Sequence, residues 1–237
     1  MKNLANATNL ERINIAMKYF LLSLLALVSL PIASETVEPF TGSSKTELRE
    51  ISLGMHVKDI PDNRFKNFSC ANDSKELNNL TDFEQCSSDG HGLYEVGLQY
   101  DTSENEWAKI NDKLAGTTIG GHPVILSIMI TKQGLVQGIR AYTDPDARTY
   151  LKRQAYLLSK RVKSHYGTVN WECIDKKPGD GGNKKFGPVF IDQHCIKTFD
   201  DKKIVVESKF YRAPNQTGKE HTNSSTLEIF SLVPISD

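Results

Sequence analysis

The chain of 237 residues has no short motif that marks a named reaction. It has no Gly-x-Ser-x-Gly nucleophile elbow, no His-Glu-x-x-His zinc pair, no Gly-x4-Gly-Lys-Ser/Thr phosphate loop and no Gly-x-Gly-x-x-Gly after a strand. These gaps exclude the common routes to serine hydrolysis, zinc proteolysis, nucleotide hydrolysis and dinucleotide binding, each of which needs its residues at a fixed spacing. An excess of one charge is also missing: Lys+Arg 29 matches Asp+Glu 29, which excludes a histone-like or acidic-tail polyelectrolyte. No period of Gly, Leu or Trp recurs, so collagen, coiled-coil and solenoid architectures fall away. What is present is enough for a core, with 38% hydrophobic and 24% charged residues.

The strongest signal lies at the front. Lys18 precedes an apolar run over Tyr19–Leu30, followed by Pro31-Ile32-Ala33-Ser34, which reads as a secretory signal peptide. The run is shorter than the roughly 20 residues a membrane-crossing helix needs. Met17-Lys18 is itself a good start for such a peptide, so translation from Met1 or from Met17 both fit. Cleavage after Ser34 removes three basic residues (Lys2, Arg12, Lys18) and one acidic residue (Glu11), taking the balanced 29 and 29 to a net charge of −2. No cysteine near the cleavage region offers lipid attachment, and no later apolar run is long enough to span a bilayer, so no transmembrane anchor is expected after cleavage. The expected location is the periplasm or the extracellular medium.

The mature chain has four cysteines, Cys70, Cys86, Cys173 and Cys195, and an even count in an exported protein argues for disulfides. Three pairings are possible. Local pairing, Cys70 with Cys86 and Cys173 with Cys195, is the expectation, because each couple brackets one polar, turn-rich segment. Such bridges contribute about 3 kcal/mol each in the chain-entropy model. The wide spacing does not suit zinc, and no metal or cofactor is expected.

Along the chain, residues 1–34 form the leader, 35–46 a flexible mature N-terminus rich in Pro, Ser, Thr and Glu, and 47–235 a single domain. Leu48, Ile51, Met55 and Ile60 make a broken apolar stripe ended by Pro61-Asp62, a short helix or turn. A polar, stapled loop region follows from Asn63 to Gly92. Tyr94, Val96, Leu98 and Tyr100 alternate as a half-buried strand. Trp107, Ile110 and Leu114 space as a short helix. Val124–Ile130, apolar on both faces, reads as a central strand, Lys132-Gln133-Gly134 as a turn, and Leu135–Thr143 as the returning strand, with Gln137 and Arg140 exposed. Further strands are expected at Trp171–Cys173, Val189–Phe199, Ile204–Tyr211 and Thr226–Val233. The fold class is α+β: an antiparallel sheet packed against one long amphipathic helix, with two disulfides.

That helix is placed after Asp144-Pro145-Asp146, with Asp144 as N-cap and Pro145 at the first helical position. Ala147, Tyr150, Leu151, Ala155, Leu158, Val162 and His165 form its apolar stripe, and Gly167 closes it. The opposite arc carries Arg148, Lys152, Arg153, Lys160 and Lys163 around Tyr156, a basic face suited to phosphate, anionic lipid or an acidic protein patch. The plainer alternative is a solvated helix side.

Other polar groups carry less chemistry. Asp180-Gly181-Gly182-Asn183 lacks calcium-loop spacing and reads as a solvated turn. His91, His122 and His194 are separate in sequence, and a catalytic histidine needs a nucleophile or acid within hydrogen-bond reach. Asn67, Asn72, Asn79, Asn215 and Asn223 begin Asn-x-Ser/Thr triplets, glycan acceptors only in a eukaryotic secretory pathway.

Gly121-His122-Pro123-Val124, Thr143-Asp144-Pro145, Tyr166-Gly167, Trp171-x-Cys173 and His194-Cys195 together resemble a family of uncharacterised exported proteins of proteobacteria, which brings no activity with it. Ile51-x-x-Gly54-Met55, followed by two cysteines and an aromatic strand, is similar to the Gly-Met units of β-lactamase inhibitory protein and of small outer-membrane assembly lipoproteins of the SmpA/OmlA type. That likeness implies an α+β binding module. The chain departs from it in having one Gly-Met unit, Pro61 where the unit's helix continues, and no lipid-attachment cysteine.

The sequence therefore points to an exported, disulfide-stabilised, non-catalytic protein that binds a protein or cell-envelope partner. The alternative is a secreted hydrolase or small-ligand enzyme using His122, His194 and nearby acids.

Overall fold

The structure, a computed structural model, describes residues 47–48, 50–103, 117–119, 121–152 and 155–233. The leader with its apolar run, the mature N-terminus over 35–46, the helix expected at Trp107–Leu114, and Arg153 lie outside these residues.

The described strands form one antiparallel sheet: β1 (Phe65–Cys70), β2 (Tyr94–Tyr100), β3 (Thr118–Ile119), β4 (His122–Ile130), β5 (Val136–Thr143), β6 (Glu172–Asp175), β7 (Ile191–Thr198), β8 (Lys202–Tyr211) and β9 (Thr222–Ser231). Their order is β1-β2-β4-β5-β9-β8-β7-β6, with β3 paired to β4 outside that order. Two meanders thus meet where β9 pairs with β5, and β1 and β6 are the outer strands. Between the meanders lie α1 (Thr149–Lys152), a 3-10 turn at Ala155–Leu157 and α2 (Leu158–His165).

Period-two alternation decides the faces. Val96 and Leu98 of β2, Ile139 and Ala141 of β5, Ile204 and Val206 of β8, and Leu227 and Ile229 of β9 are buried on the face that meets Leu158 and Val162 of α2. Strand β4 buries residues of both faces, Leu126 and Ile128 as well as Ser127 and Met129, as expected of a central strand. The β4–β5 turn holds because Gly134 takes φ +83, and a Cβ there would lie 3.0 Å from the His56 ring.

The expectation of one long amphipathic helix is corrected. The Asp144 carboxylate accepts a 2.8 Å hydrogen bond from the Asp146 amide, closing a local turn, and helical structure starts only at Thr149. The cap residues are consumed by that turn, a use for which Asp-Pro is equally suited. Ala155, Leu158 and Val162 do face the core, whereas Tyr150 and His165, assigned to the apolar stripe, are exposed. The far end follows expectation. Gly167 has φ +86, and the buried Lys197 of β7 donates to the carbonyls of Tyr166 (2.5 Å) and Val169 (3.1 Å) beyond the helix C-terminus, where the dipole favours a cation.

The stapled loop region is corrected in part, since it contains β1 and a 3-10 helix at Leu80–Gln85. Phe65, Phe68 and Cys70 are buried, and a bulge between Lys66 and Ser69, with Asn67 at φ +55, breaks the alternation that would reveal a strand. Before β1 the broken stripe becomes 3-10 turns at Val57–Asp59 and Asp62–Arg64, with Ile51, Val57 and Ile60 buried.

A buried ion pair joins the first described residue to the second meander. Lys202 Nζ lies 2.8 Å from Glu47 Oε1, with side chains 5% and 8% exposed. Glu47 Oε2 accepts from the Leu53 amide at 3.0 Å, and its carbonyl accepts from the Tyr166 hydroxyl at 3.0 Å. Paired and hydrogen-bonded in this way, neither charge is left without compensation.

Candidate functional site

The sheet face away from α2 shows its chemistry in rows, because pairing sets residues of successive strands side by side. One row runs Tyr142–Thr226–Glu207–His194–Ile174 across β5, β9, β8, β7 and β6. At roughly 4.8 Å per strand it spans about 19 Å. Its ends are exposed apolar side chains, Tyr142 at 37% and Ile174 at 69%. The neighbouring row runs Ser127–Arg140–Glu228–Val205–Ile196–Glu172. There Arg140 donates to Glu228 through Nε at 2.7 Å and to both carboxylate oxygens of Glu95 through Nη1, while the Ser127 hydroxyl donates to Glu95 at 2.6 Å. Burial disfavours the Arg140 charge, yet Glu228 and Glu95 more than offset it and hold its pKa up.

Around Ile174 the face dips into a hollow of about 270 Å³, walled by His194, Glu207, Lys209, Lys176 and Asp192. Lys209 Nζ lies 2.9 Å from Glu207 Oε2, and His194 Nδ1 lies 3.3 Å from Glu207 Oε1. Hydrogen bonding from Lys209, with a smaller contribution from His194, lowers the Glu207 pKa, and the same Glu207–Lys209 bond raises that of Lys209. Lys176 stands 3.5 Å from Asp192. The hollow therefore offers compensated charges around one apolar side chain.

Beside this hollow runs β6, all four residues of which are exposed. Lys176 donates its amide to the Asp192 carbonyl, and pairs of this antiparallel ladder alternate, so the amides and carbonyls of Glu172 and Ile174 face β7. Those of Cys173 and Asp175 point outward and meet no described strand. Both disulfides follow the expected local pairing, Cys70–Cys86 and Cys173–Cys195. Cys173 is exposed and tied to the fully buried Cys195, so the bridge fastens β6 to β7. Two such bridges place the protein in an oxidising compartment outside the cytoplasm.

The sequence-derived histidines do not share a site. His122 is buried on the helix-facing side, 3.0 Å from Thr143 Oγ1, and burial pulls its pKa down to about 4. His194 sits on the opposite face, and His91 on an exposed turn. Among the described residues no three His, Cys, Asp or Glu side chains gather to hold a metal ion.

Most of the described residues of the expected basic face have local partners. Lys152 donates to the Pro145 carbonyl, and Arg148 to the Tyr150 hydroxyl at 3.2 Å. The Tyr156 ring packs edge-on to Phe210 of β8 at 5.1 Å. Lys160 is exposed. Lys163 crosses to β7, donating to Gln193 at 2.9 Å and lying 5.8 Å from the Trp171 ring, and burial lowers its pKa. Asp180–Asn183 is a turn, as expected, with Asp180 accepting from the Lys177 amide.

Sequence reasoning missed the Glu207–Lys209–His194 cluster. The i, i+2 spacing of Glu207 and Lys209 puts them on one strand face, but only the register with β7 brings His194 alongside. No helix of the described residues is long and apolar enough to cross a membrane. Comparison with known protein families, with curated proteins and with solved structures returned no match.

Proposed function

We propose that this is an exported, disulfide-stabilised, non-catalytic protein of the periplasm or extracellular medium that binds a protein or cell-envelope partner through the sheet face of β5, β9, β8, β7 and β6. The observation that carries this reading is the row ending in Tyr142 and Ile174, two exposed apolar side chains flanking His194 and Glu207. Aromatic and aliphatic anchors set among satisfied charges are what interfaces use, and a sheet stapled at its margin loses little entropy when bound. The signal-peptide pattern, the two bridges and the resemblance to exported proteobacterial proteins support the location.

The hydrolase reading now rests on His194 and Glu207 alone, since His122 lies in the interior on the other face. Photo-crosslinkers at Tyr142 and Val205, in cells and with Lys132 on the β4–β5 turn as the control position, test the proposal. A discrete adduct at the two face positions and none at Lys132 is expected. No adduct at either, together with substrate turnover that His194→Ala abolishes, would overturn it in favour of the enzyme.

A further inference from the structure

The two outer strands of the sheet, β1 and β6, are finished differently. Along β1 the outward groups of Phe68 and Cys70 are used. The Cys70 amide donates to the Lys75 carbonyl and the Leu77 amide to the Phe68 carbonyl, so residues 75–77 lie along the margin. Along β6 the outward amides and carbonyls of Cys173 and Asp175 have no backbone partner among the described residues. Bare strand edges are templates for pairing with another chain, which is why folds commonly cover them.

The side chains of this edge are complementary to themselves. Glu172, Ile174 and Lys176 share the open face, while Cys173 and Asp175 point to the α2 side, where the Asp175 carboxylate accepts from Gln193 at 2.7 Å. In an antiparallel pair centred on Ile174, residue 174 meets 174, 173 meets 175, and 172 meets 176. The 173–175 positions are those whose backbone groups point outward, so this register forms the hydrogen-bonded pairs and leaves 174–174 as the closer, non-bonded pair. It sets exposed Ile174 against Ile174, and Glu172 against Lys176 twice. Among the described residues Glu172 has no ion pair, and Lys176, 58% exposed, has the 3.5 Å contact with Asp192. A register centred between 173 and 174 would instead set the outward groups of Cys173 against Ile174, whose groups face β7, and forms no ladder.

We infer that two copies of this chain associate edge to edge through β6, about a two-fold axis at Ile174, joining their sheets. The contact consists of four backbone hydrogen bonds, one apolar pair and two Glu–Lys pairs. The pairing strand is four residues long, well short of the area of a stable obligate dimer, so the association is weak and concentration-dependent. The Cys173–Cys195 bridge keeps β6 in place for it. This goes beyond the proposed partner binding, which uses the sheet face, and shares with it the side chain of Ile174.

Sedimentation velocity of the full chain with its disulfides formed, over a wide concentration series, tests the inference. A monomer–dimer equilibrium is expected. Glu172→Lys and Lys176→Glu each place two like-charged pairs at the contact and raise the dimer dissociation constant roughly tenfold, while the double variant returns it close to the original value. Asp175→Pro removes an outward donor that serves no internal bond and abolishes the dimer. The unfolding midpoint of each variant is read alongside, and if Asp175→Pro unfolds, the charge reversals and their mutual rescue still decide. A chain monomeric at every concentration, or a dimer indifferent to the single reversals, overturns the inference. A monomer that still gives the face-directed adducts in cells overturns it and leaves the proposed function standing, whereas a dimer without adducts does the opposite.

Discussion

The β1 and β6 margins are built from similar material, a short strand holding a cysteine that bridges to a partner nearby in sequence, yet they end up in opposite states. Cys70 and Cys86 are both buried, and their bridge draws the following segment against β1 so that it satisfies the outward backbone. Cys173 is exposed, and its bridge runs inward to β7, fastening β6 while leaving its outer side open. A disulfide therefore closes a margin when it pulls a loop across the strand, and presents one when it ties the strand to its neighbour.

The first way to break this comparison is to remove each bridge. Cys70→Ala with Cys86→Ala should cost about 4 kcal/mol, the loop-entropy term plus the loss of two core sulfurs. Cys173→Ala with Cys195→Ala should cost less, because only Cys195 of that pair is buried and the exposed Cys173 leaves no cavity. Denaturant unfolding measures both, and an equal or reversed order would contradict the closed-versus-open contrast.

The first meander also holds a buried histidine whose protonation is coupled to folding. His122 in β4 has its pKa pulled from 6.5 to about 4 by burial. The folded protein thus refuses a proton that the unfolded chain accepts, and stability is full above pH 6.5 and falls as the pH drops towards 4. The loss should reach about 3 kcal/mol. His122→Leu should flatten unfolding curves measured across that window. A slope that survives His122→Leu would show that another group is responsible.

Smaller effects sharpen the contrast. Asp175→Pro should cost less than about 1 kcal/mol because its amide faces outward. In dilute solution, amide hydrogen exchange should be slow at Cys70 and Leu77 and fast at Cys173 and Asp175, and protection at the latter two in a monomer would mean that the β6 edge is covered after all.

The second meander was the more legible in the sequence. The strands expected at Ile204–Tyr211 and Thr226–Val233 appear as β8 (Lys202–Tyr211) and β9 (Thr222–Ser231), the latter starting four residues earlier and ending two sooner. The β4–β5 hairpin and the helix stop at Gly167 were equally clear, because apolar period and turn chemistry agree there. Strand β1 was hidden, since its bulge at Asn67 shifts Phe68 and Cys70 out of step with Phe65. The helix start was misread because Asp144-Pro145-Asp146 supports either a cap or a turn, and local pattern does not choose between them. The cluster around Ile174 depends on strand register, a long-range property. Buried Lys197 and Lys202 likewise look like ordinary surface lysines until the carbonyls of Tyr166 and Val169 or the Glu47 carboxylate are placed beside them.

The Glu47–Lys202 pair has a practical corollary for anyone trimming this polypeptide. A recombinant domain that retains Glu47 keeps the counter-ion for an ammonium group sealed in the interior and the acceptor for the Leu53 amide. One that starts a single residue later strands that ammonium and frees the Tyr166 hydroxyl. A trimmed form must therefore keep Glu47, whose partner is a side chain of β8 more than a hundred and fifty positions away.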